Sequence, residues 1–345
     1  MFNKVTPLLK DKKDTSLTSR SVLFTVIVPC FNEAEALPEF QKQTLAVLDQ
    51  MQVPYELLYV NDGSTDETQI LIDQYAQNLG VRALHLSRNF GKESAMNAGI
   101  DYANGQAIIF MDADLQDPPQ LIPQMVNTWL DGFDIVNMKR KGRQGDTTTK
   151  KVTAKLYYCL MKKLNPSFVI PEQVSDFRLI GPKPLAALKT MPERMMVMKG
   201  MIPWLGFNTT EILYNRVARE AGLTKWNYWG LIDLAIEGII SFSKKPIRWY
   251  SFAAIVISLI TAVAIGFDAA QQGANLIHLI AFILTFLSVG IALIGEYIGA
   301  ILIETKQRPT YLISKLVERK STVDPAVNDH INDHAPYIEG GADHV

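Results

Sequence analysis

Asp112-Ala-Asp114 follows an apolar run, Ala107 to Met111 (AIIFM), and sets two carboxylates one residue apart. At the end of a strand, that spacing projects both groups into the crevice beyond it. Hard oxygen donors of this kind suit Mg²⁺ or Mn²⁺. With a nucleotide diphosphate as the remaining ligand, the metal would neutralise charge on a leaving group. Gln116, in the longer string Asp-Ala-Asp-Leu-Gln-Asp-Pro, offers one more oxygen. Two other clusters have a similar character: Val28-Pro29-Cys30-Phe31-Asn32-Glu33 and Val60-Asn61-Asp62-Gly63-Ser64-Thr65-Asp66. Glu33 and Asp62 can accept hydrogen bonds from a base or a ribose, and the Phe31 ring can stack. The same stretches also read as helix punctuation, with Asn32 capping a first helix and Ser64 and Glu67 forming a capping box. The two readings are compatible.

The elements that must position these groups alternate. Short β-branched or aliphatic runs at 24–28, 55–60, 81–86, 107–111 and 134–138 predict strands. Between them, helical periods run over 35–51, from about 66 to 75, and over 93–103 and 119–130. Strand–helix alternation with short links predicts an α/β fold built on a doubly wound, mostly parallel sheet. In such sheets ligands bind beyond the carboxyl ends of the strands, which is where all three polar clusters fall. No G-x-G-x-x-G or G-x-x-x-x-G-K-[ST] follows a strand, which weighs against dinucleotide enzymes and P-loop NTPases.

Taken together, V-P-C-F-N-E, N-D-G-S-T-D, R-N-F-G-K-E at Arg88 to Glu93 and D-A-D-L-Q-D-P resemble the inverting family-two glycosyltransferases of GT-A fold. Ser175-Asp-Phe-Arg178, Arg219-Glu-Ala-Gly-Leu-Thr-Lys225 and two apolar C-terminal runs narrow the resemblance to the polyprenyl-phosphate glycosyltransferases, over roughly 24–316. The resemblance implies nucleotide-sugar contacts at Pro29, Phe31, Glu33, Asp62 and Asp112, with Arg219 and Lys225 near the phosphates. It implies metal and diphosphate contacts at Asp112, Asp114 and Gln116, with Asp114 and Asp176 as catalytic-site acids. Asp176 would either orient the acceptor or take a proton. The implied reaction is inverting transfer of a hexose, with UDP-glucose as first choice of donor, to undecaprenyl phosphate, for cell-envelope glycosylation. Phe31 stands where many relatives carry Tyr, Asn61 where many carry Asp, Leu223 for a usual Glu and Trp226 for a usual Tyr, which leaves other UDP- or GDP-sugars open. A processive polysaccharide synthase would show a Q-x-x-R-W-type motif and more spans. A catalytically inactive scaffold would not need Asp112, Asp114, Gln116 and Asp176 together.

Two charge-poor runs, 249–267 and 276–303, are each long enough to cross a bilayer, the second carrying one acid, Glu296. Lys244, Lys245 and Arg248 precede the first, Lys306 and Arg308 follow the second, and 268–275 between them carries no Lys or Arg. By the positive-inside bias, both flanks are cytoplasmic at a bacterial inner membrane and the loop is external. Glu296 is read either as a structural partner of an interfacial base or as a site residue, and Gly295 and Gly299 permit close helix contact, which is compatible with a homo-oligomer. The expected organisation is a disordered lead-in (1–21), a catalytic domain (22–225), interfacial helices (226–248), two spans (249–303) and a cytoplasmic segment with a disordered tail (304–345). The basic stretch from Lys139 to Lys163 is either a solvated face or a contact for anionic lipid. A net charge of −1 gives no global field for nucleic acid, and two distant cysteines, Cys30 and Cys159, suggest neither a disulfide framework nor zinc.

Overall fold

The computed structural model describes residues 22–141, 163, 174–191, 198–216, 239, 243, 245–268 and 276–319. The first four apolar runs form β1 Phe24–Cys30, β2 Tyr55–Asn61, β3 Val81–Leu86 and β4 Ala107–Phe110. Helices α1 Leu37–Gln50, α2 Thr68–Tyr75 and α3 Lys92–Tyr102 connect them, and α4 Ile122–Leu130 follows β4 after a 3₁₀ turn at Pro119–Leu121. β1 pairs in parallel with β2 on one side and β4 on the other. The chain therefore reverses its direction of travel across the sheet beside β1, and a crevice opens there.

The sheet is larger and less parallel than the alternation predicts. The fifth predicted run forms β5 Ile135–Arg140, and three unpredicted strands, β6 Val174–Ile180, β7 Thr209–Tyr214 and β8 Ile313–Glu318, extend the sheet to eight, in the order β7-β5-β6-β4-β1-β2-β3-β8. β6 is antiparallel to β4 and β5, and β8 is antiparallel to β3, whereas β5 and β7 run parallel. The expected mostly parallel sheet is thus a mixed one, with a parallel centre and antiparallel margins. β5 does not neighbour β4 because β6, distant in sequence, inserts between them. β8 also carries the catalytic sheet beyond the expected boundary at residue 225. Ion pairs from Arg82 to Glu318 (3.0 Å) and from Lys315 to Asp73 (2.8 Å) fasten it, as does the Tyr311 hydroxyl on Asp101 (2.5 Å).

Alternation along the strands feeds two cores. Val26, Val28, Leu57 and Tyr59 face α1, α2 and α4 through Phe40, Leu48, Ile72 and Met125. Ile27, Leu58, Val60 and Leu84 face α3 and two further helices, α5 Pro182–Lys189 and α6 Met198–Trp204, through Met96, Leu185 and Met198. Gly99 sits where α3 crosses β1, and a Cβ there would lie 2.3 Å from Cγ2 of Ile27. That contact sets how closely α3 can lie on the sheet.

Two long helices follow, α7 Lys245–Asp268 and α8 Leu276–Thr305. Tyr250 of α7 stacks on Phe286 of α8 with centroids 4.7 Å apart and donates its hydroxyl to the Phe286 carbonyl at 2.9 Å; Gly290 leaves the room. Elsewhere these helices expose apolar side chains, including Phe252, Leu259, Ile291 and Ile301. Ile283–Thr305, 23 residues, is long and apolar enough to cross a membrane, and it is the one such segment among the described residues. The run at 249–267 is helical within α7, but the structure does not by itself make it a second span. Glu296 is exposed on α8 and forms no ion pair with a described residue. The lead-in, the tail, the 269–275 loop and, apart from 239, 243 and 245–248, the interfacial stretch lie outside the described residues.

Candidate active site

The three sequence clusters meet at the carboxyl ends of β1, β2 and β4, but not as helix caps. Asn32, in the left-handed region at φ 54°, accepts from the Thr65 N–H at 2.8 Å, while its own N–H donates to the Ser64 hydroxyl at 3.0 Å. The Glu33 N–H donates to the Thr68 hydroxyl at 2.8 Å. Neither α1 nor α2 has a side-chain cap; Asn32 and Ser64 clasp the β1 and β2 loops to each other. Asn and Ser satisfy backbone groups equally well in either setting, so composition alone could not separate the two.

Asp62 and Gly63 build the next piece. Gly63 lies at φ 64°, and any Cβ there would come 2.4 Å from the backbone of Arg88. That close approach lets the Asp62 carboxylate accept from the N–H groups of Phe90 (2.7 Å) and Gly91 (2.9 Å). Burial pushes Asp62 up, and the two N–H groups and Arg88 partly offset it. The 88–91 loop is thereby fixed, with the Arg88 guanidinium 4.0 Å over the Phe90 ring, and it delivers Lys92 at the start of α3.

Lys92 was quoted within a motif but given no role by the sequence, and it lies at the centre of the site. Its ammonium stands 2.7 Å from Asp112 and 2.9 Å from Asp176. Burial pushes Lys92 down, but Asp112 and Asp176 more than reverse it and hold it charged. Burial likewise pushes Asp176 up; Lys92, Lys199 and Arg178 outweigh it and hold the carboxyl well below the usual range. Arg178 is buried and donates to the Ser175 carbonyl at 2.9 Å. Asp176 therefore enters on β6, a strand of the same sheet, two places from β1.

A cleft of about 230 Å³ is lined by Pro29, Phe31, Glu33, Asp62, Asp112 and Asp114, together with Cys30, Asn89, Gly91 and Lys92. Asp114 is 5% exposed and accepts from the Gln116 N–H at 3.1 Å, in a turn with Leu115 in the left-handed region at φ 56°. Gln116 does not line the cleft. Asp112 and Asp114 fit a hard divalent ion of the kind that takes one or two carboxylates and completes its shell with substrate phosphate and water. Asp112 already carries a cation in Lys92, so the site is built for positive charge. Among the described residues no three His, Cys, Asp or Glu groups gather as a closed metal site.

Asp117, in the same motif, was not assigned by the sequence. It is buried and accepts from the Tyr214 hydroxyl, which also meets Ser175 at 3.2 Å. Burial pushes Asp117 up to about 6, helped by Asp112 and opposed by Tyr214. This network ties the metal-type turn after β4 to β6 and β7. The Cys30 thiol is buried and pushed up, chiefly by burial. Arg219 and Lys225 lie outside the described residues, as does the basic run between 142 and 162; Lys139 pairs with Glu211 at 2.7 Å.

The family model that matches the chain is Glycosyl transferase family 2, over residues 25–188. An uncharacterized glycosyltransferase of Synechocystis sp. is 40% identical over 307 residues, 86% of this chain and 96% of that protein. A prophage bactoprenol glucosyl transferase homolog of Escherichia coli is 40% identical over 303 residues, covering 85% and 98%. The bactoprenol glucosyl transferase of Shigella phage SfII is 38% identical over 301 residues, covering 84% and 97%. Similarity of this degree over nearly the full length of each relative means that the chain belongs to glycosyl transferase family 2, among its polyprenyl-phosphate glycosyltransferases.

Proposed function

We propose that the enzyme transfers a hexose from a nucleotide-sugar, UDP-glucose in the first instance, to undecaprenyl phosphate at the cytoplasmic face of the bacterial inner membrane, with inversion. The observation that carries this reading is the Lys92 bridge, which joins Asp112 of the metal-type pair to Asp176 through one ammonium. Reaction between two anionic substrates requires donor and acceptor groups side by side with their charges compensated; Lys92, which lines the cleft, brings Asp176 to its edge and supports that arrangement. Pro29, Phe31, Glu33 and Asp62 take the base and ribose at the β1 and β2 end. Asp112 and Asp114 would hold Mg²⁺ or Mn²⁺ together with the diphosphate, and Arg219 and Lys225 would contact that diphosphate, as the resemblance implies. The ion would draw negative charge off the departing UDP.

An oxygen of the lipid phosphate attacks the anomeric carbon as the bond to the UDP oxygen breaks and UDP leaves with the bonding pair. A phosphate monoester is largely ionised at neutral pH, its second pKa being about 6, so little deprotonation is needed. Asp176, held ionised by three cations, is a weak proton acceptor, which favours the orienting role. The names of the bactoprenol relatives support the acceptor, as does the apolar exterior of α8.

The test uses the purified chain in detergent with Mg²⁺ or Mn²⁺, undecaprenyl phosphate and a panel of UDP- and GDP-sugars. A β-linked glycolipid from UDP-glucose, lost in chelator, is the expected product. Transfer to free sugar chains but not to the lipid phosphate would overturn the reading.

A further inference from the structure

Resting on that reading of Asp176 as the acceptor-side carboxylate, we propose that Lys199 binds the phosphate of the acceptor and that Glu93 positions it. The two oxygens of Asp176 face different cations. Oδ2 takes Lys92, which leads on to Asp112 and the donor. Oδ1 is buried and makes no hydrogen bond; Lys199 stands 3.8 Å from it and Arg178 4.0 Å. Arg178 is a closed brace, its side chain 3% exposed and spent on Ser175. Lys199 is 44% exposed and makes no hydrogen bond to a described residue. Among the described residues its ammonium is therefore positioned by charge alone, with no acceptor taking its donors.

The direction of attack fixes which group that is. The acceptor oxygen must approach the anomeric carbon from the side opposite the departing diphosphate. Asp112 and Asp114 mark the diphosphate side; Asp176 is joined to Asp112 through Lys92 at Oδ2, whereas Lys199 pairs with the other oxygen, Oδ1. A phosphate monoester carries about −1.5 to −2 charges and three acceptor oxygens, which suits an exposed ammonium beside a buried carboxylate.

Glu93 explains why Lys199 is there. Met198, Met201 and Ile202 bury the apolar side of α6 against the sheet. The N–H of Met198, the residue before Lys199, donates to the Glu93 carboxylate at 3.1 Å. Consecutive residues at the start of α3 thus place both lysines, Lys92 by its own side chain and Lys199 by tethering α6. Glu93 touches neither substrate and acts through Lys199.

Two measurements on the full-length enzyme test this. With undecaprenyl phosphate and UDP-glucose, Lys199→Met should raise the acceptor KM at least tenfold while UDP affinity, read by calorimetry, stays within about twofold. Lys199→Arg should recover most of the loss. Glu93→Ala should raise the acceptor KM in the same direction, and Glu93→Gln, which keeps an oxygen for the Met198 N–H, should recover it. An unchanged acceptor KM in Lys199→Met, or an equal loss of UDP affinity, overturns the proposal. The second measurement needs no turnover: direct binding of farnesyl phosphate by the wild type, weakened in Lys199→Met. If no glycolipid forms but farnesyl phosphate binding still depends on Lys199, the assignment of donor fails and the phosphate site stands. If the wild type binds no farnesyl phosphate, or Lys199→Met binds it equally, the site fails.

Discussion

Lys92 keeps two carboxylates together that would repel each other if it were gone. In a partly buried cleft, that repulsion is screened less than at an open surface. Lys92→Met should therefore lower kcat/KM at least a hundredfold, by turning Asp176 away from Asp112, without unfolding the domain. It should also strengthen Mn²⁺ binding in the absence of nucleotide, because Asp112 no longer holds a competing ammonium; calorimetry on the mutant reads this directly, and weaker binding would contradict it. The neighbouring Glu93 makes a pH-dependent statement. Burial, reinforced by Asp176, pushes it from an ordinary 4.5 up to about 7, with the Met198 N–H, Lys92 and Lys199 only partly offsetting it. Between those values the folded state holds a proton that the unfolded chain has released, so stability falls as pH rises through the window and levels off above it. Glu93→Gln removes that decline. Its thermal midpoint should match the wild type near the lower value and exceed it above the upper one, by the equivalent of about 3 kcal/mol. A difference that is constant across pH would show that Glu93 does not titrate there.

At the scale of elements, the parallel centre was legible because β1 to β4 are short apolar runs separated by helical periods, and local patterning decides such units. β6 was not legible as a strand, because V-S-D-F-R-L-I carries an acid and a base in its middle. Asp176 and Arg178 find their partners in Lys92, Lys199, each other and the Ser175 carbonyl, contacts that no local pattern reveals. The same holds for the site. The Asp-x-Asp pair and Asp62 were visible as strand-end acids, whereas Lys199 comes from a helix without a readable period and Lys92 from a Gly turn at the end of β3. Asp62 was read as a nucleotide contact, and it also braces the loop that carries Lys92. The α3 helix brings these groups together, and its height over the sheet depends on Gly99. Gly99→Ala should cost about 1–3 kcal/mol by forcing a methyl against Ile27. Ile27→Ala, itself costing about 2–5 kcal/mol, removes the opposing atoms, so the Gly99→Ala penalty should shrink in that background. Thermal unfolding of the two single variants and the double variant measures the coupling, and simple additivity would mean that α3 is held elsewhere.

On the scale of the whole molecule, the order of the sheet constrains the membrane. β7 and β8 lie in one sheet with the nucleotide-side strands, so the chain between them must start and end on the same side of any bilayer. A single crossing is excluded by that parity once α8 crosses. If Ile283–Thr305 spans, an odd number of further crossings must lie between 215 and 312, and among the described residues α7 is the other long apolar helix. If both helices cross, the positive-inside bias of Lys245 and Arg248 at the start of α7, and of Lys306 and Arg308 just after α8, predicts cytoplasmic outer ends and an external 269–275. The segment 306–312 can reach only about 25 Å when extended, so if α8 spans, β8 must also hold the catalytic sheet close to the bilayer. Green fluorescent protein fused to either end of the full chain should therefore fluoresce, and alkaline phosphatase inserted in 269–275 should be active. An inactive insertion with both ends fluorescent would mean that neither helix crosses. A C-terminus without fluorescence beside an active insertion would mean that β8 does not reach the sheet. Truncation after Gln307 separates the two functions of this region: the spans remain, while the ion pairs of Glu318 and Lys315 and the edge of β3 are lost. The truncated chain should still fractionate with membranes yet unfold at a lower temperature and lose transfer activity, and full activity after truncation would rule out a structural role for the returning strand.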